Sequence, residues 1–312
     1  MRILFMGTPD FSVPTLECLA ASRHEVIGAV TQPDKPKGRG KTLAMPPVKE
    51  KALELGIPVY QPVKVRDTEY VELIKELKPD VAVVIAFGQI LSKEVLDLPV
   101  YGCVNIHASL LPKYRGAAPI QWAVINGEKE TGITTMMMDE GIDTGDMLEK
   151  LVIPVDPQET GGSLFDKLSL AGGELILSTL DKLENGTLVR MPQGEEGVSH
   201  VKMIKKSMGD IDWNQEAVFI ERLTRGLNPW PSAYTRLNGK IIKIWHAEVL
   251  DEEYEGLCGQ VVSVEKDRLL IKTGKGTLAV CCLQPEGKKR MDADAFLRGY
   301  PVLEGTILER SV

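Results

Sequence analysis

Two apolar strands decide the fold, and both are predicted within one stretch of the chain, VAVVIAFGQILSKEVLDLPVYGCVNIH at residues 81–107. The first, residues 81–86, is a continuous apolar run, which is typical of a strand buried on both faces. The second, residues 104–107, is shorter and carries two polar side chains. Strands that are covered on both faces need helices above and below them, so this stretch predicts a parallel sheet between helices.

Strand and helix signals alternate on both sides of this stretch. Because alternation of this kind is typical of doubly wound folds, we expect an α/β, Rossmann-like domain with a mostly parallel sheet. Ligands of such sheets bind beyond the carboxyl ends of the strands, where the segments after Gly7, Ala86 and His107 should converge. No Gly-x-Gly-x-x-Gly is present, which disfavours an NAD oxidoreductase. The further strands are predicted at residues 3–6, 26–30, 57–60, 134–138 and 148–155, and the helices at 13–21, 48–55, 69–77, 120–125 and 163–183.

The texture of the sequence changes after residue 188. Prolines and glycines with little periodicity predict a linker at residues 189–208, after a first domain at 1–188. A helix at 217–227 and short strands at 233–237, 241–249, 260–264, 268–271 and 278–283 predict a small C-terminal β-barrel, OB-like, at 209–312. Asn238-Gly239 between two of these strands is a strong hairpin signal. The pattern by itself permits any small β domain.

Three polar residues near the second strand suit an attack of an amine on a carbonyl. Asn105 and His107 lie two apart, so both point to the same face of their strand. Asp143 lies in the loop Gly141-Ile-Asp-Thr-Gly-Asp146. An amide can donate to a developing oxyanion, an imidazole can relay a proton, and a carboxylate can orient the imidazole. The structural alternative is a histidine at a strand end and two turn residues.

Composition narrows the class of protein. The 312 residues are 43% hydrophobic and 26% charged, which is ordinary for a globular protein of two domains. The five cysteines have no metal-ligand spacing, so we expect reduced thiols, a cytoplasmic location and no metal. The apolar run after Met1 is too short for a signal peptide, and no stretch has membrane-spanning length.

Several motifs together resemble one known family. Asn-x-His at 105–107, Ser-Leu-Leu-Pro at 109–112, Arg-Gly-Ala-x-Pro at 115–119 and Asp-Thr-Gly-Asp at 143–146 resemble the 10-formyltetrahydrofolate-dependent formyltransferase family. Gly7-Thr-Pro-Asp-Phe11, the basic loop at 32–41 and Asn228-Pro-Trp-Pro-Ser-Ala-Tyr234 extend the resemblance over essentially the whole chain. The catalytic triplet is shared by members that act on different amines, so it identifies the reaction better than the acceptor.

The resemblance implies roles for named residues. Asn105, His107 and Asp143 would be catalytic, and 10-formyltetrahydrofolate would be the co-substrate. Loops on both sides of the triplet would contact the folate. The implied folate contacts are Phe87, Gly88, Gln89, Ile90, Leu91, Ser109, Leu110, Leu111, Pro112, Asp139 and Gly141. A rigid turn at 109–112 is an equally compatible reading.

The resemblance also implies a partner, the initiator methionyl-tRNA, and a monomer without membrane attachment. The implied tRNA contacts are the cations of a Gly-rich loop, Lys35, Lys37, Arg39 and Lys41, with Lys205 and Lys206. The net charge of −7 argues against binding by bulk charge, but from Lys205 onward 16 basic residues balance 16 acidic ones. The alternatives are a member acting on an amino sugar nucleotide or glycinamide ribonucleotide, and a folate-binding regulator without catalysis.

Overall fold

The computed structural model describes residues 1–37 and 42–310, and its chain divides into two compact units. The first consists of Met1–Pro119, Glu130–Pro154 and Phe165–Val201. The second consists of Ile120–Lys129, Val155–Leu164 and Lys202–Val312. Both units therefore draw on more than one segment of the sequence.

The chain up to Val201 alternates strands and helices, as the apolar patterning predicts. Its strands are β1 (Arg2–Gly7), β2 (Glu25–Val30), β3 (Lys35–Lys37), β4 (Thr42–Ala44), β5 (Val59–Tyr60), β6 (Val81–Ile85), β7 (Cys103–His107), β8 (Arg115–Gly116), β9 (Glu130–Met137), β10 (Met147–Pro154) and β11 (His200–Val201). Its helices are α1 (Val13–Ala20), α2 (Pro47–Glu54), α3 (Thr68–Leu77), α4 (Lys93–Leu96), α5 (Pro119–Ile125) and α6 (Gly161–Glu184).

Seven strands form the main sheet, in the order β5, β2, β1, β6, β7, β9, β10. The first five are parallel, whereas β9 runs antiparallel to β7 and β10 antiparallel to β9. Every residue of β6 is buried, as expected for a central parallel strand. The register sets Met6, Val84 and Asn105 side by side on β1, β6 and β7. The predicted Rossmann-like, mostly parallel sheet is therefore confirmed, and the carboxyl ends of these strands share one edge.

The second unit contains an antiparallel sheet, also as predicted. The strand order is β12, β13, β16, β15, β14, and β17 pairs with β16. Arg236 and Glu309 exchange two backbone hydrogen bonds of 2.9 Å, and the Val261 amide donates to the Thr306 carbonyl at 2.8 Å. The segment before the C-terminus thus joins the two edge strands and closes the sheet into a barrel. The elements are α7 (Ala217–Gly226), β12 (Ala233–Leu237), β13 (Lys240–Leu250), β14 (Val261–Val264), β15 (Leu269–Lys272), β16 (Thr277–Pro285), β17 (Met291–Asp292) and α8 (Ala293–Gly299).

Local signals fixed some elements better than others. The strand predicted at 233–237 has those bounds in the structure, and the turn after it has positive φ at both Asn238 (50°) and Gly239 (75°), as a type I′ hairpin requires. Helix α8 was not predicted. The predicted loop before Pro47 contains the short antiparallel pair β3 and β4.

Within residues 1–37 and 42–310, no helix has the length and apolar character that crossing a membrane requires.

Candidate active site

Strand β7 carries the first two residues of the predicted triplet on one face. Asn105 pairs with Val84 of β6 on one side and with Met136 of β9 on the other, so its backbone is fixed within the sheet. Its side chain is half-buried, and its amide has no hydrogen-bond partner among the residues that the structure describes. An amide that is held in place but left unpaired can donate to a bound group.

His107, at the carboxyl end of β7, is 7% exposed. Its Nε2 lies 3.0 Å from the Tyr114 carbonyl oxygen. Because a carbonyl oxygen only accepts, Nε2 carries the hydrogen and donates. Its Nδ1 lies 3.6 Å from Asp143 Oδ2. The Tyr114 carbonyl thus sets the tautomer, and Nδ1 is the nitrogen that can gain or release a proton.

Asp143 approaches His107 from the loop between β9 and β10. Its Oδ2 accepts a 2.7 Å hydrogen bond from the Gly116 amide, and its backbone adopts a left-handed conformation with φ of 54°. The 3.6 Å separation from Nδ1 is long for a hydrogen bond but suits an ion pair with a protonated imidazole. The carboxylate is therefore placed to stabilise positive charge on His107.

A cavity of about 460 Å³ opens in the first unit beside β7. Its wall includes Leu96, Cys103, Met138 and Asp139. Asp97, Tyr101 and Gly102 also line the cavity, which therefore lies at the amino end of β7. His107 lies at the opposite end of the strand, and the described lining includes none of the three triplet residues. Burial raises the pKa of the Cys103 thiol to about 12, which keeps this part of the wall uncharged.

The loop after β6 was predicted to contact folate. Phe87 and Leu91 are buried, while Ile90 is 79% exposed. Gly88 has a positive φ of 80°. The Gln89 side chain accepts from the Val65 amide at 2.8 Å and donates to the Pro62 carbonyl at 3.1 Å. Gln89 thus stabilises the loop at residues 62–65. Gly88 and Ile90 are the residues of this segment whose exposed surface a ligand could contact.

The turn at 109–112 is bonded mainly to itself and to β9. Ser109 is fully buried, and its Oγ donates to the Lys113 carbonyl at 2.7 Å. Thr134 Oγ1 donates to the Ser109 carbonyl at 2.7 Å and accepts from the Leu111 amide at 3.1 Å. Leu111 is buried too, whereas Leu110 and Pro112 are half-buried. Ser109 and Leu111 therefore support the turn, and the other two residues present its accessible surface.

The loop that carries Asp143 is closed by an acidic side chain. Asp139 Oδ1 accepts from the Gly141 amide at 3.0 Å and from Thr144 Oγ1 at 2.7 Å. Asp139 and Gly141 are both exposed, and Asp139 also lines the cavity. The loop between β9 and β10 therefore carries two of the predicted folate contacts and also Asp143, the third residue of the predicted triplet.

The predicted tRNA contacts are distributed over both units. Lys35 is exposed, Lys37 belongs to β3, and Arg39 and Lys41 lie outside the described residues. Lys205 and Lys206 are exposed in the second unit. Their role remains a prediction.

Sequence reasoning missed the backbone partners of the triplet. The Tyr114 carbonyl immediately precedes the Arg-Gly-Ala-x-Pro motif, and the Gly116 amide lies within it. Every residue has such main-chain groups, so the type of a residue does not show which of them will bind a side chain. A separate group of possible metal ligands, His246, Glu248 and Cys281, lies within 4.8 Å on β13 and β16. The expectation that no metal is used remains a prediction.

Comparison with known proteins defines the family. A family model described as "Formyl transferase" matches residues 1–180, and one described as "Formyl transferase, C-terminal domain" matches 203–301. The chain is 58% identical to a methionyl-tRNA formyltransferase of Agathobacter rectalis, over 98% of this chain and 99% of that protein. It is 50% identical to one of Clostridioides difficile, over 99% of this chain and 100% of that protein.

Solved structures share the fold at lower identity. WlaRD, a sugar 3N-formyl transferase solved with dTDP and 5-N-formyl-THF, has a TM-score of 0.67 at 19% identity, over 93% of this chain and 99% of its own. HypX from Aquifex aeolicus has a TM-score of 0.64 at 19% identity, over 97% of this chain and 48% of its own.

The fold and the two matched models define the class: this chain is a formyl transferase. With 47–58% identity to curated relatives over nearly its full length, it belongs to the methionyl-tRNA formyltransferase family.

Proposed function

We propose that this chain transfers the formyl group of 10-formyltetrahydrofolate to the amino group of methionyl initiator tRNA. The products are N-formylmethionyl-tRNA, for translation initiation, and tetrahydrofolate. The observation that carries the proposal is full-length identity of 47–58% to relatives that bear this function in their names. The approach of Asn105, His107 and Asp143 at one strand end supports the chemistry.

The first unit carries the three segments that would bind the formyl donor, at 87–91, 109–112 and 139–143. The pterin would lie between the segments at 87–91 and 139–143, whose backbone groups can bond its amide and amine edge. The turn at 109–112 would complete the wall through Leu110 and Pro112, with Ser109 and Leu111 holding its shape. Solved formyl transferase folds with folate ligands support this assignment.

The reaction exchanges one bond for another at the formyl carbon. The amino nitrogen bonds to that carbon, the bond from the carbon to N10 of the folate breaks, and one proton passes from the amine to N10. While both nitrogens are attached, the formyl oxygen carries negative charge. The unpaired Asn105 amide would donate to that oxygen, which lowers the barrier by preorganised electrostatics.

His107 would carry the proton. With Nε2 committed to the Tyr114 carbonyl, Nδ1 is free to take the proton of the attacking amine and return it to N10. Asp143, 3.6 Å from Nδ1, would stabilise the imidazolium between these two events. Direct donation from His107 to the formyl oxygen, and proton uptake by Asp143 through water, are further routes that the same three groups permit.

A tRNA acceptor would use both units. We assign the catalytic domain to residues 1–188, a linker to 189–208 and a tRNA-contacting barrel domain to 209–312. Arg39 would be the central contact of the basic loop, with Lys35, Lys37 and Lys41 on phosphates, and Lys205 and Lys206 would add phosphate contacts. We further propose a monomer that acts in the cytoplasm.

The main alternative acceptors are an amino sugar nucleotide and glycinamide ribonucleotide. The sugar formyl transferase WlaRD has a similar fold but 19% identity, against 58% for the A. rectalis relative. A small acceptor also gives no reason for a basic loop of four cations. A folate-binding regulator would not need the unpaired amide, the imidazole and the carboxylate together.

The test is formyl transfer from 10-formyltetrahydrofolate to methionyl initiator tRNA, with methionyl elongator tRNA and an amino sugar nucleotide as parallel acceptors. We expect strong transfer to the initiator alone. Transfer only to the amino sugar nucleotide would keep the chemistry and overturn the tRNA acceptor. No transfer to any acceptor would favour the regulator.

A further inference from the structure

Residues 191–201, within the segment that the sequence predicts as a linker, are bonded to the loops of the active site. Met191 and Met147 exchange two backbone hydrogen bonds of 2.9 Å at the start of β10. At the other end, β11 pairs in parallel with β8. The side chain of Gln193 lies between these two attachments. All of these residues belong to the first unit.

Gln193 connects the Asp143 loop to the Arg115 side chain. Its Nε2 donates to the carbonyl oxygens of Asp143 at 2.9 Å and Gly145 at 2.8 Å. Its Oε1 accepts from Arg115 Nε at 3.0 Å and from Nη2 at 2.9 Å. Because the guanidinium only donates and the carbonyls only accept, one orientation of the amide satisfies all four bonds. The arrangement is specific for glutamine.

The same segment also holds the second partner of His107. Ser199 Oγ accepts from the Tyr114 amide at 2.8 Å, and the Ser199 carbonyl accepts from the Arg115 amide at 2.8 Å. Tyr114, whose carbonyl accepts the hydrogen bond from His107 Nε2, has a left-handed backbone with φ of 61°. An unfavourable conformation of this kind persists only where neighbours fix it.

We propose that Gln193 is a positioning residue for formyl transfer, which acts by holding Asp143 against His107. The inference rests on the proposed function above and adds a residue outside the predicted triplet. Asp143 also has a left-handed backbone, and its carboxylate is fixed by one backbone amide, that of Gly116. Without Gln193 the Asp143 and Gly145 carbonyls lose their common donor, and the loop can move by the fraction of an ångström that separates an ion pair from a solvated carboxylate.

Two variants separate the bonds of Gln193 from its volume. Gln193→Met keeps the length of the side chain and removes all four hydrogen bonds. Gln193→Glu keeps the acceptor for Arg115 but turns an oxygen toward the two carbonyls. We expect kcat to fall about 10- to 100-fold in both, because small displacements of catalytic groups have effects of that order. The KM and the dissociation constant for the folate should stay within about threefold of wild type.

Gln158→Met is the matched control, since Gln158 is exposed and its side chain has no hydrogen bond among the described residues.

A double-variant comparison shows whether Gln193 acts through Asp143. We expect Asp143→Asn to lower kcat strongly, and Gln193→Met to add less than threefold in that background. Hydrogen exchange of the wild-type chain and Gln193→Met, without substrate, gives a second readout. The Gly116 amide, which donates to Asp143, should exchange faster in the variant.

Each result bears on one of the two proposals. Wild-type kcat in Gln193→Met, full additivity with Asp143→Asn, or unchanged exchange at Gly116 would overturn the positioning role. A wild-type chain that formylates no acceptor would instead contradict the proposed function. Hydrogen exchange at the Gly116 amide would still test whether Gln193 keeps Asp143 in place.

Discussion

At the scale of single residues, the site depends on which polar atoms are already occupied. His107 Nε2 is bonded to the Tyr114 carbonyl, and Asp143 Oδ2 to the Gly116 amide. Among the described residues the Asn105 amide has no hydrogen-bond partner, and His107 Nδ1 faces Asp143 Oδ2 at 3.6 Å, too far for a strong hydrogen bond. These are the atoms that a substrate could engage. In the proposed mechanism, oxyanion stabilisation and proton transfer would therefore be carried out by two different side chains, so replacing each should change a different kinetic quantity.

Replacing Asn105 with alanine removes the side chain that we propose as the oxyanion donor. We expect Asn105→Ala to lower kcat by about a hundredfold or more, with the folate dissociation constant nearly unchanged, because the bond forms mainly in the transition state. Steady-state kinetics with methionyl initiator tRNA and a direct folate titration measure both quantities. A rise in KM at constant kcat would show that the amide binds substrate instead.

Replacing His107 with alanine removes the side chain that we propose as the proton carrier. His107→Ala should lose most turnover, while folate binding largely survives, because the predicted folate segments at 87–91 and 109–112 keep their own hydrogen bonds. His246→Ala, at an exposed histidine of β13, is the control. Turnover near that of wild type in His107→Ala would exclude His107 from the mechanism.

Ionisation of the Cys103 thiol should lower the free energy of unfolding at alkaline pH. Burial raises the pKa of this thiol to about 12 from 9.0, so between these values the unfolded chain loses a proton that the folded chain keeps. Stability from this group is therefore present below pH 9 and falls as pH rises above it, by about 1 kcal/mol at pH 10. Urea unfolding at pH 7 and pH 10 measures the loss. Cys103→Ala should lose correspondingly less, and an equal loss in both chains would contradict the assignment.

Residue identities could be predicted where a side chain carries the chemistry. Asn105 and His107 are two apart on an apolar strand, and Asp143 lies between glycines, so residue type and spacing indicate the candidate triplet from the sequence alone, and the structure places Asp143 3.6 Å from His107. The Tyr114 carbonyl could not be found in this way, because every residue has one and its direction depends on φ. Gln193 was missed because its partners, Arg115 and the Asp143 loop, are distant in sequence.

At the scale of elements, the loop between β9 and β10 sets the position of Asp143. Its turn is packed so closely that a Cβ at either of two glycines would clash with a neighbouring atom. A Cβ at Gly141 would lie 1.9 Å from Thr144 Oγ1, and one at Gly145 would lie 1.7 Å from the Met137 carbonyl oxygen. The second contact is with backbone, which cannot rotate away, so Gly145 is required by the shape of the loop.

Gly145→Ala should therefore disturb both stability and catalysis. We expect a loss of about 1–3 kcal/mol of unfolding free energy, as for other forced contacts in packed regions, and a lower kcat because Asp143 is displaced. Gly194→Ala is the matched control, since a Cβ there meets nothing within 4 Å and the glycine lies outside the left-handed region. Thermal unfolding and initial rates measure the two effects. Equal behaviour of the two variants would mean that the loop adapts without cost.

Strands could be predicted where the pattern of buried and exposed residues along the chain is regular. The fully buried β6 and the alternating β12 follow directly from their apolar patterns. The segment at 191–201 was expected to be irregular because it has prolines and glycines, and most of it is. Its attachment comes instead from the main chain of Met191 and the side chains of Gln193 and Ser199. The periodicity of apolar residues does not depend on such contacts, so it could not predict them.

At the scale of the whole molecule, the chain and its proposed tRNA substrate both carry net negative charge. The net charge is −7, yet a tRNA presents a continuous series of phosphates. Long-range attraction of the whole protein therefore cannot account for binding, and local groups of cations must. The basic loop around Arg39 and the exposed pair Lys205 and Lys206 are two such groups in the sequence.

Replacing Arg39 should accordingly affect the acceptor and leave the formyl donor alone. We expect Arg39→Ala to lower kcat/KM for methionyl initiator tRNA by about tenfold or more. If Arg39 neutralises a phosphate, the dependence of tRNA binding on salt should also weaken by about one unit of slope. Arg66→Ala is the matched control, because Arg66 is exposed and has no ion pair among the described residues. Rates and tRNA titrations at several salt concentrations, with a folate titration alongside, separate the two substrates. A change in folate binding would place Arg39 at the donor site, whereas an unchanged tRNA dependence would mean that the loop is ordinary surface and that phosphate recognition lies elsewhere in the chain.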